Sequence, residues 1–251
     1  MLTRIGAISV IFSYLVGCGS QQVLERQERA HLHLKIGTAH LANGNYPLAL
    51  KELLNAHEQD PDNKLVQNNL ALAYYVRNKL VDAERHARRA LQLDPAYTEA
   101  RNNLARILIE QGDYPQAIQE LKTCVNDLTY AFPDRSWSNL GMAYFKNQDF
   151  EKAKEAIRQA ISINDQNCIS YNYYGRTLYE EKQYMAAAQA FDRSISLCKD
   201  PRFDEPRYYG ALSYYQSGNR EEALTRLNEL LKSQPDGIYS KQARGIIELM
   251  K

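Results

Sequence analysis

Small and bulky positions recur along most of this chain with a period near 34. Gly37, Ala71, Ala105, Gly141, Gly175 and Ala211 follow one another at steps of 34, 34, 36, 34 and 36 residues. Twelve residues after each stands an alanine: Ala49, Ala83, Ala117, Ala153, Ala187 and Ala223. A bulky residue precedes the small one (Ile36, Leu70, Leu104, Leu140, Tyr174), and another follows three places later (His40, Tyr74, Leu108, Tyr144, Leu178, Tyr214). Turn sequences come next, as in Asn43-Gly44-Asn45, Gln111-Gly112-Asp113 and Ser217-Gly218-Asn219. Tyr46, Leu80, Tyr114, Phe150 and Tyr184 then open a second apolar-periodic segment, and Pro61, Pro95 and Pro235 close three of the units. This pattern predicts two amphipathic helices per unit, joined by a tight turn. Glycine in the turn suits a left-handed residue at a helix end. The small residues mark close helix crossings. One hairpin cannot bury its apolar stripe alone, so neighbouring hairpins must stack.

The repeat resembles the tetratricopeptide repeat over nearly all of residues 30–251. The resemblance implies an all-α, right-handed α-solenoid of six helix hairpins. The units are 30–63, 64–97, 98–131, 134–167, 168–201 and 204–237, with two-residue insertions at 132–133 and 202–203. Residues 30–251 are expected to form a single domain, with 238–251 as a capping helix. Unit four matches the consensus best, through Trp137, Leu140, Gly141, Tyr144, Ala153 and Ala160. Units five and six depart most, since Gly210 replaces a bulky residue and Lys199 a proline.

The N-terminus has a different pattern. Arg4 is followed by a mostly apolar run from Ile5 to Val16, which is too short to span a bilayer and suits a secretory signal. Leu15-Val16-Gly17-Cys18 resembles the bacterial lipobox, in which the cysteine is diacylated and the bond before it is cut. Residues 1–17 are thus expected to be a lipoprotein signal peptide, Cys18 the lipidated residue, and 18–29 a polar tether. Gly19-Ser20 after the cysteine implies the outer membrane, facing the periplasm, because aspartate there favours inner-membrane retention.

With 31 Lys+Arg against 30 Asp+Glu, the net charge of +1 gives no electrostatic reason to expect nucleic acid as a partner. No phosphate-cradling loop, His-Glu-x-x-His or Gly-x-Ser-x-Gly is present. The five histidines (31, 33, 40, 57, 86) lack metal-ligand spacing, and His40 reads as a packed core residue. No enzymatic activity, cofactor, metal or small-molecule substrate is therefore expected. Cys124 reads as a packed free thiol. Cys168 and Cys198 occupy places 1 and 31 of one unit, at the open end of a single hairpin. They are candidates for a disulfide, and packed helix axes ~8–10 Å apart leave the bond open at this stage.

In stacked tetratricopeptide repeats the first helices line a groove through places 2, 5, 9, 12 and 13. Place 12 carries Leu41, Tyr75, Ile109, Phe145, Tyr179 and Tyr215, and place 9 carries Arg106, Met142 and Arg176. Asn68, Asn102 and Asn172 recur at place 5, and Asn69, Asn103 and Asn139 at place 6. One reading is a peptide groove in which rings take apolar side chains and carboxamides bond the partner's main chain. The other is that place 12 packs within its hairpin.

A lipid-anchored protein with six such units resembles the type IV pilus biogenesis lipoproteins, the pilotins of the PilF, PilW and Tgl kind. Asp127-Leu128-Thr129-Tyr130, then Pro133-Asp134-Arg135-Ser136 and Asn139-Leu140-Gly141, resembles the joint between their third and fourth units. The resemblance implies a chaperone-like role toward the outer-membrane secretin subunit of the pilus, with the acylated Cys18 in the outer-membrane lipid. The alternatives are a scaffold for peptidoglycan hydrolases or an adaptor in another envelope complex.

Overall fold

The computed structural model describes residues 5–198, 200 and 203–250, with side chains from residue 23 onward. Helix is the only regular element among them. The sequence reading has one domain over 30–251. The packing instead forms two compact units, Met1–Gln111 and Gly112–Lys251.

The first unit holds α1 (Ile5–Ala42), α2 (Tyr46–Gln59), α3 (Lys64–Tyr75), α4 (Leu80–Leu93) and α5 (Thr98–Gln111). Leu34, Leu53, Ala56, Val66, Leu70 and Ala73 form a continuous core through its first two hairpins. The expected tether is absent over 23–29, which belong to α1 and are exposed. Leu24, Glu25, Arg26, Gln27, Glu28 and Arg29 are good helix formers, and Glu25 pairs with Arg29 one turn on at 3.9 Å. Ile36 also departs from expectation. It is 37% exposed where Leu70, at the same place in the next repeat, is fully buried. Leu70 packs on Leu53 and Ala56 of the preceding repeat, and the first repeat has no predecessor. His40, expected in the core, is half-buried, as is Tyr74 at the same place of the next repeat.

The second unit holds α6 (Tyr114–Val125), α7 (Pro133–Lys146), α8 (Phe150–Ile163), α9 (Cys168–Glu180), α10 (Tyr184–Leu197), α11 (Glu205–Gln216), α12 (Arg220–Ser233) and α13 (Ser240–Leu249). The last helix lays Ala243, Ile246 and Ile247 on the core formed by Ala211, Ala223, Leu227 and Leu230.

Ala49, Ala83, Ala117, Ala153, Ala187 and Ala223 are all completely buried, which places the alanine series at the helix crossings. The glycines mark still closer approaches. A Cβ on Gly141 would stand 2.3 Å from Ile157 Cγ1, and one on Gly175 would stand 2.9 Å from the Phe191 ring. Phe191 also explains Gly210, whose Cβ would lie 3.2 Å from Phe191 Cβ. The ring of Phe191 occupies the room that a bulky residue at 210 would have filled.

The intra-repeat turns share one conformation. Gly44, Asn78, Gly112, Gln148, Lys182 and Gly218 all have positive φ, between 57° and 88°. Around Gly44, its own N–H donates to Leu41 O and that of Asn45 to His40 O, a Schellman ending that satisfies two otherwise orphaned carbonyls. Side-chain oxygens then cap several following helices: Asn63 accepts from the N–H groups of Leu65 and Val66, and Asp149 from that of Lys152.

Candidate partner-binding surface

In the first unit, most of the carboxamides expected to face a partner bond neighbouring repeats instead. Asn68, Asn102 and Asn103 are buried, as is Ile109. Asn103 Nδ2 donates to Asn68 Oδ1 at 2.9 Å, and Asn69 Nδ2 donates to Thr38 Oγ1 at 2.9 Å. A carboxamide buried between two first helices must find a partner there, because an unmet polar group costs about 1–3 kcal/mol. The expectation that these groups bond a partner's main chain is corrected on that ground. Tyr75 and Arg106 remain half-exposed. Arg106 lies 4.9 Å over the Tyr75 ring, and with Leu72, Asn103 and Ile107 they line a narrow crevice. Burial raises the Tyr75 phenol above its ordinary pKa, against the opposing pull of Arg106.

The second unit repeats the device. Arg176 stands at place 9, as Arg106 does, and its guanidinium lies 5.0 Å over Phe145, the place-12 ring of the preceding repeat. It also lies 3.9 Å over Tyr209 and forms an ion pair with Glu205. Asn172, 1% exposed, donates through Nδ2 to the same carboxylate at 2.9 Å. Its Oδ1 and Arg176 Nε, both buried, have no hydrogen-bond partner. Tyr179 meets Tyr184 and Tyr209 edge-on at 5.5 and 5.9 Å. Asn139 and Met142 are half-buried, and Tyr215 is exposed.

Place 12 is therefore not one open stripe. Ile109 and Phe145 are only 4% and 7% exposed, whereas Tyr215 reaches 40%. Phe145 is held by Phe150 and Tyr173 at 5.6 and 5.7 Å. Neither Glu205 nor Tyr209 stands out in the sequence, although place 2, where Glu205 stands, is among the groove places. Tyr209 carried no signal, because one tyrosine among 18 is not distinctive.

Cys168 and Cys198 are joined by a disulfide across the α9–α10 hairpin, with Cα atoms 5.5 Å apart. Ser194 Oγ donates to Cys168 O at 2.8 Å on the same hairpin. Cys124 is buried and takes no part in a disulfide. Of the expected signal segment, residues 1–4 and all side chains lie outside the described residues, as does the Cys18 side chain; the backbone of 5–17 belongs to α1. No described helix is long and apolar enough to cross a membrane. Among the described residues no three His, Cys, Asp or Glu side chains gather as they would around a metal ion. The surface thus offers rings and guanidinium groups, the usual anchors for a polypeptide.

Tetratricopeptide-repeat family models match residues 21–64, 34–98, 77–127, 135–167 and 207–237. The chain is similar to the type IV pilus assembly protein PilF of Pseudomonas aeruginosa, with 27% identity over 199 residues, 76% of this chain and 79% of the relative. Among solved structures it is similar to that of P. aeruginosa PilF, with TM-score 0.72 and 23% identity over 88% of this chain and 99% of the other. It is also similar to PilW, described as a widely conserved type IV pilus biogenesis factor, with TM-score 0.76 and 18% identity over 85% and 97%. The fold class is accordingly the all-α tetratricopeptide solenoid.

Proposed function

Because the chain belongs to the tetratricopeptide-repeat family, we propose that it works by holding another polypeptide and catalyses no reaction. In this reading it is an outer-membrane lipoprotein that assists the localisation and multimer assembly of the type IV pilus secretin. The observation that carries the binding role is the ring-and-guanidinium pair built in both units, Arg106 over Tyr75 and Arg176 over Phe145. Each places an arginine of one first helix on an aromatic ring of the first helix before it. The half-exposed Arg106–Tyr75 plate presents apolar area and donors together, at little cost in side-chain entropy, whereas buried Phe145 only backs the Arg176 guanidinium. The similarity to PilF supports the pilus as the setting.

The address rests on sequence. Cys18 with small residues before it supports acylation, and Gly19-Ser20 supports the outer membrane. Several acyl chains anchor stably where one binds only marginally. The Cys168–Cys198 disulfide is consistent with the oxidising periplasm. A division of labour follows: the lipid sets the location, and the repeats hold the secretin subunit until it assembles.

Deleting the protein tests this reading. Secretin multimers resistant to heat and detergent should disappear, together with surface pili, and Cys18→Ala should leave subunits away from the outer membrane. Normal multimers with altered wall cross-linking would refute it and favour a scaffold for peptidoglycan hydrolases.

A further inference from the structure

The two ring-backed arginines differ in what their donors meet. In the second unit the Arg176 guanidinium is closed off by its own chain. Its ion pair with Glu205 joins place 9 of one repeat to place 2 of the next, 29 residues on, and the two side chains are only 17% and 24% exposed. The same carboxylate accepts from Nδ2 of Asn172, at place 5, over 2.9 Å. Place 9, backed by a ring, is thus a seat for a carboxylate, and Glu205 fills it.

In the first unit the same seat is built without that acid. Arg106 stands at place 9, 4.9 Å over the Tyr75 ring. Counting the same 29 residues onward leads to Arg135 instead of a glutamate, and its guanidinium lies 4.1 Å over Phe132. Glu110, one turn further along α5, is exposed and bears on the Tyr75 phenol, which it raises as Arg106 lowers it. Among the described residues, no carboxylate forms an ion pair with Arg106. Arg106 is half-exposed, so a group in the groove can reach it. Leu72 and Ile107 line the crevice beside it, where water competes less for a hydrogen bond. A guanidinium held over a ring keeps its edge donors, in a fork that matches a carboxylate.

We propose that Arg106 binds the carboxylate of an aspartate or glutamate on the held polypeptide, in the position that Glu205 fills for Arg176. This rests on the reading that the groove holds a polypeptide, and it adds the chemistry of one recognised residue. The two arginines then divide the work. Arg176 clasps two repeats of its own chain, and Arg106 selects the partner.

Overlapping peptides covering the periplasmic part of the pilus secretin are the probe, each made in its native form and with Asp and Glu replaced by Asn and Gln. Fluorescence anisotropy with the full chain gives the ratio of the two affinities. The ratio is taken within each variant, so a change in stability does not mimic the result. For the wild type, captured peptides should lose about tenfold in affinity when amidated. Arg106→Gln should bind both forms alike, and Arg106→Lys, which keeps the charge, should still prefer the acid. Wild-type capture indifferent to amidation overturns the proposal and leaves the holding role standing. An Arg106→Gln variant that still prefers the acid does the same. Capture of no peptide at all overturns the holding role, and this proposal with it.

Discussion

His86 should make the first unit sensitive to acid, and the hydrogen bonds show why. Gln67 Nε2 donates to Pro61 O at 2.5 Å, which fixes the orientation of the amide, because a proline carbonyl can only accept. Gln67 Oε1 therefore faces His86 Nδ1 at 2.7 Å and must accept its proton. Gln67 Nε2 also donates to His57 Nδ1 at 3.2 Å, so that nitrogen carries none. The His86 ring stacks on Tyr74 at 5.4 Å and is 7% exposed. Burial first, then the nearby Arg85 and His57, push its pKa from 6.5 down to about 4, and Asp82 opposes weakly. A histidine with a depressed pKa binds its proton more readily when unfolded. Its stabilising effect is complete above the unfolded value of 6.5 and drains as pH falls toward about 4. Linkage puts the loss at about 2 kcal/mol between pH 7.5 and pH 5. His86→Gln keeps an N–H for Gln67 and removes the titration. Urea unfolding at both pH values should show the wild type losing about 2 kcal/mol more than the variant. Equal losses would refute the argument.

Other consequences can be measured by the same unfolding assays. Gln148→Gly and Lys182→Gly should each stabilise by about 0.5–1 kcal/mol, since both residues have φ of 62° at turns where other repeats use glycine. Gly141→Ala should cost about 1–3 kcal/mol, because its Cβ would press on Ile157 and lies only 3.2 Å from that residue's backbone nitrogen. Cys198→Ser should lower stability by about 3–4 kcal/mol, as the bond closes a loop with a separation of 30 residues. Phe145→Ala should cost about 3–5 kcal/mol as a core truncation, whereas Tyr75→Ala costs much less and acts chiefly on partner capture. Similar melts for the two variants would contradict the burial assigned to Phe145.

The repeat was legible in the sequence because stacking leaves few choices at a helix crossing. Ala49 and Ala153 are completely buried at their crossings, so the alanine series registered the packing directly. The turns were half legible. Gly44, Gly112 and Gly218 announced themselves, but Asn78, Gln148 and Lys182 hold the same backbone without glycine. There the helix-ending geometry overrides local preference. Groove residues were harder to read. Periodicity reports which side of a helix a residue occupies, but not whether a neighbouring repeat has already claimed it. Asn68 accepts from Asn103 and donates to Tyr97, and Arg176 is held by Glu205, which lies 29 residues further on. Ile36 shows the complementary failure, since a core place is a core only when a neighbour covers it.

The most direct test of the central claim is photo-crosslinking within the native envelope from probes placed at Tyr75 and Tyr179, with Val81, 79% exposed on α4, as control. The account predicts a crosslink to the pilus secretin subunit from the first two positions and none from the third. Capture of a peptidoglycan hydrolase instead, or secretin crosslinks of equal strength from Val81, would contradict it.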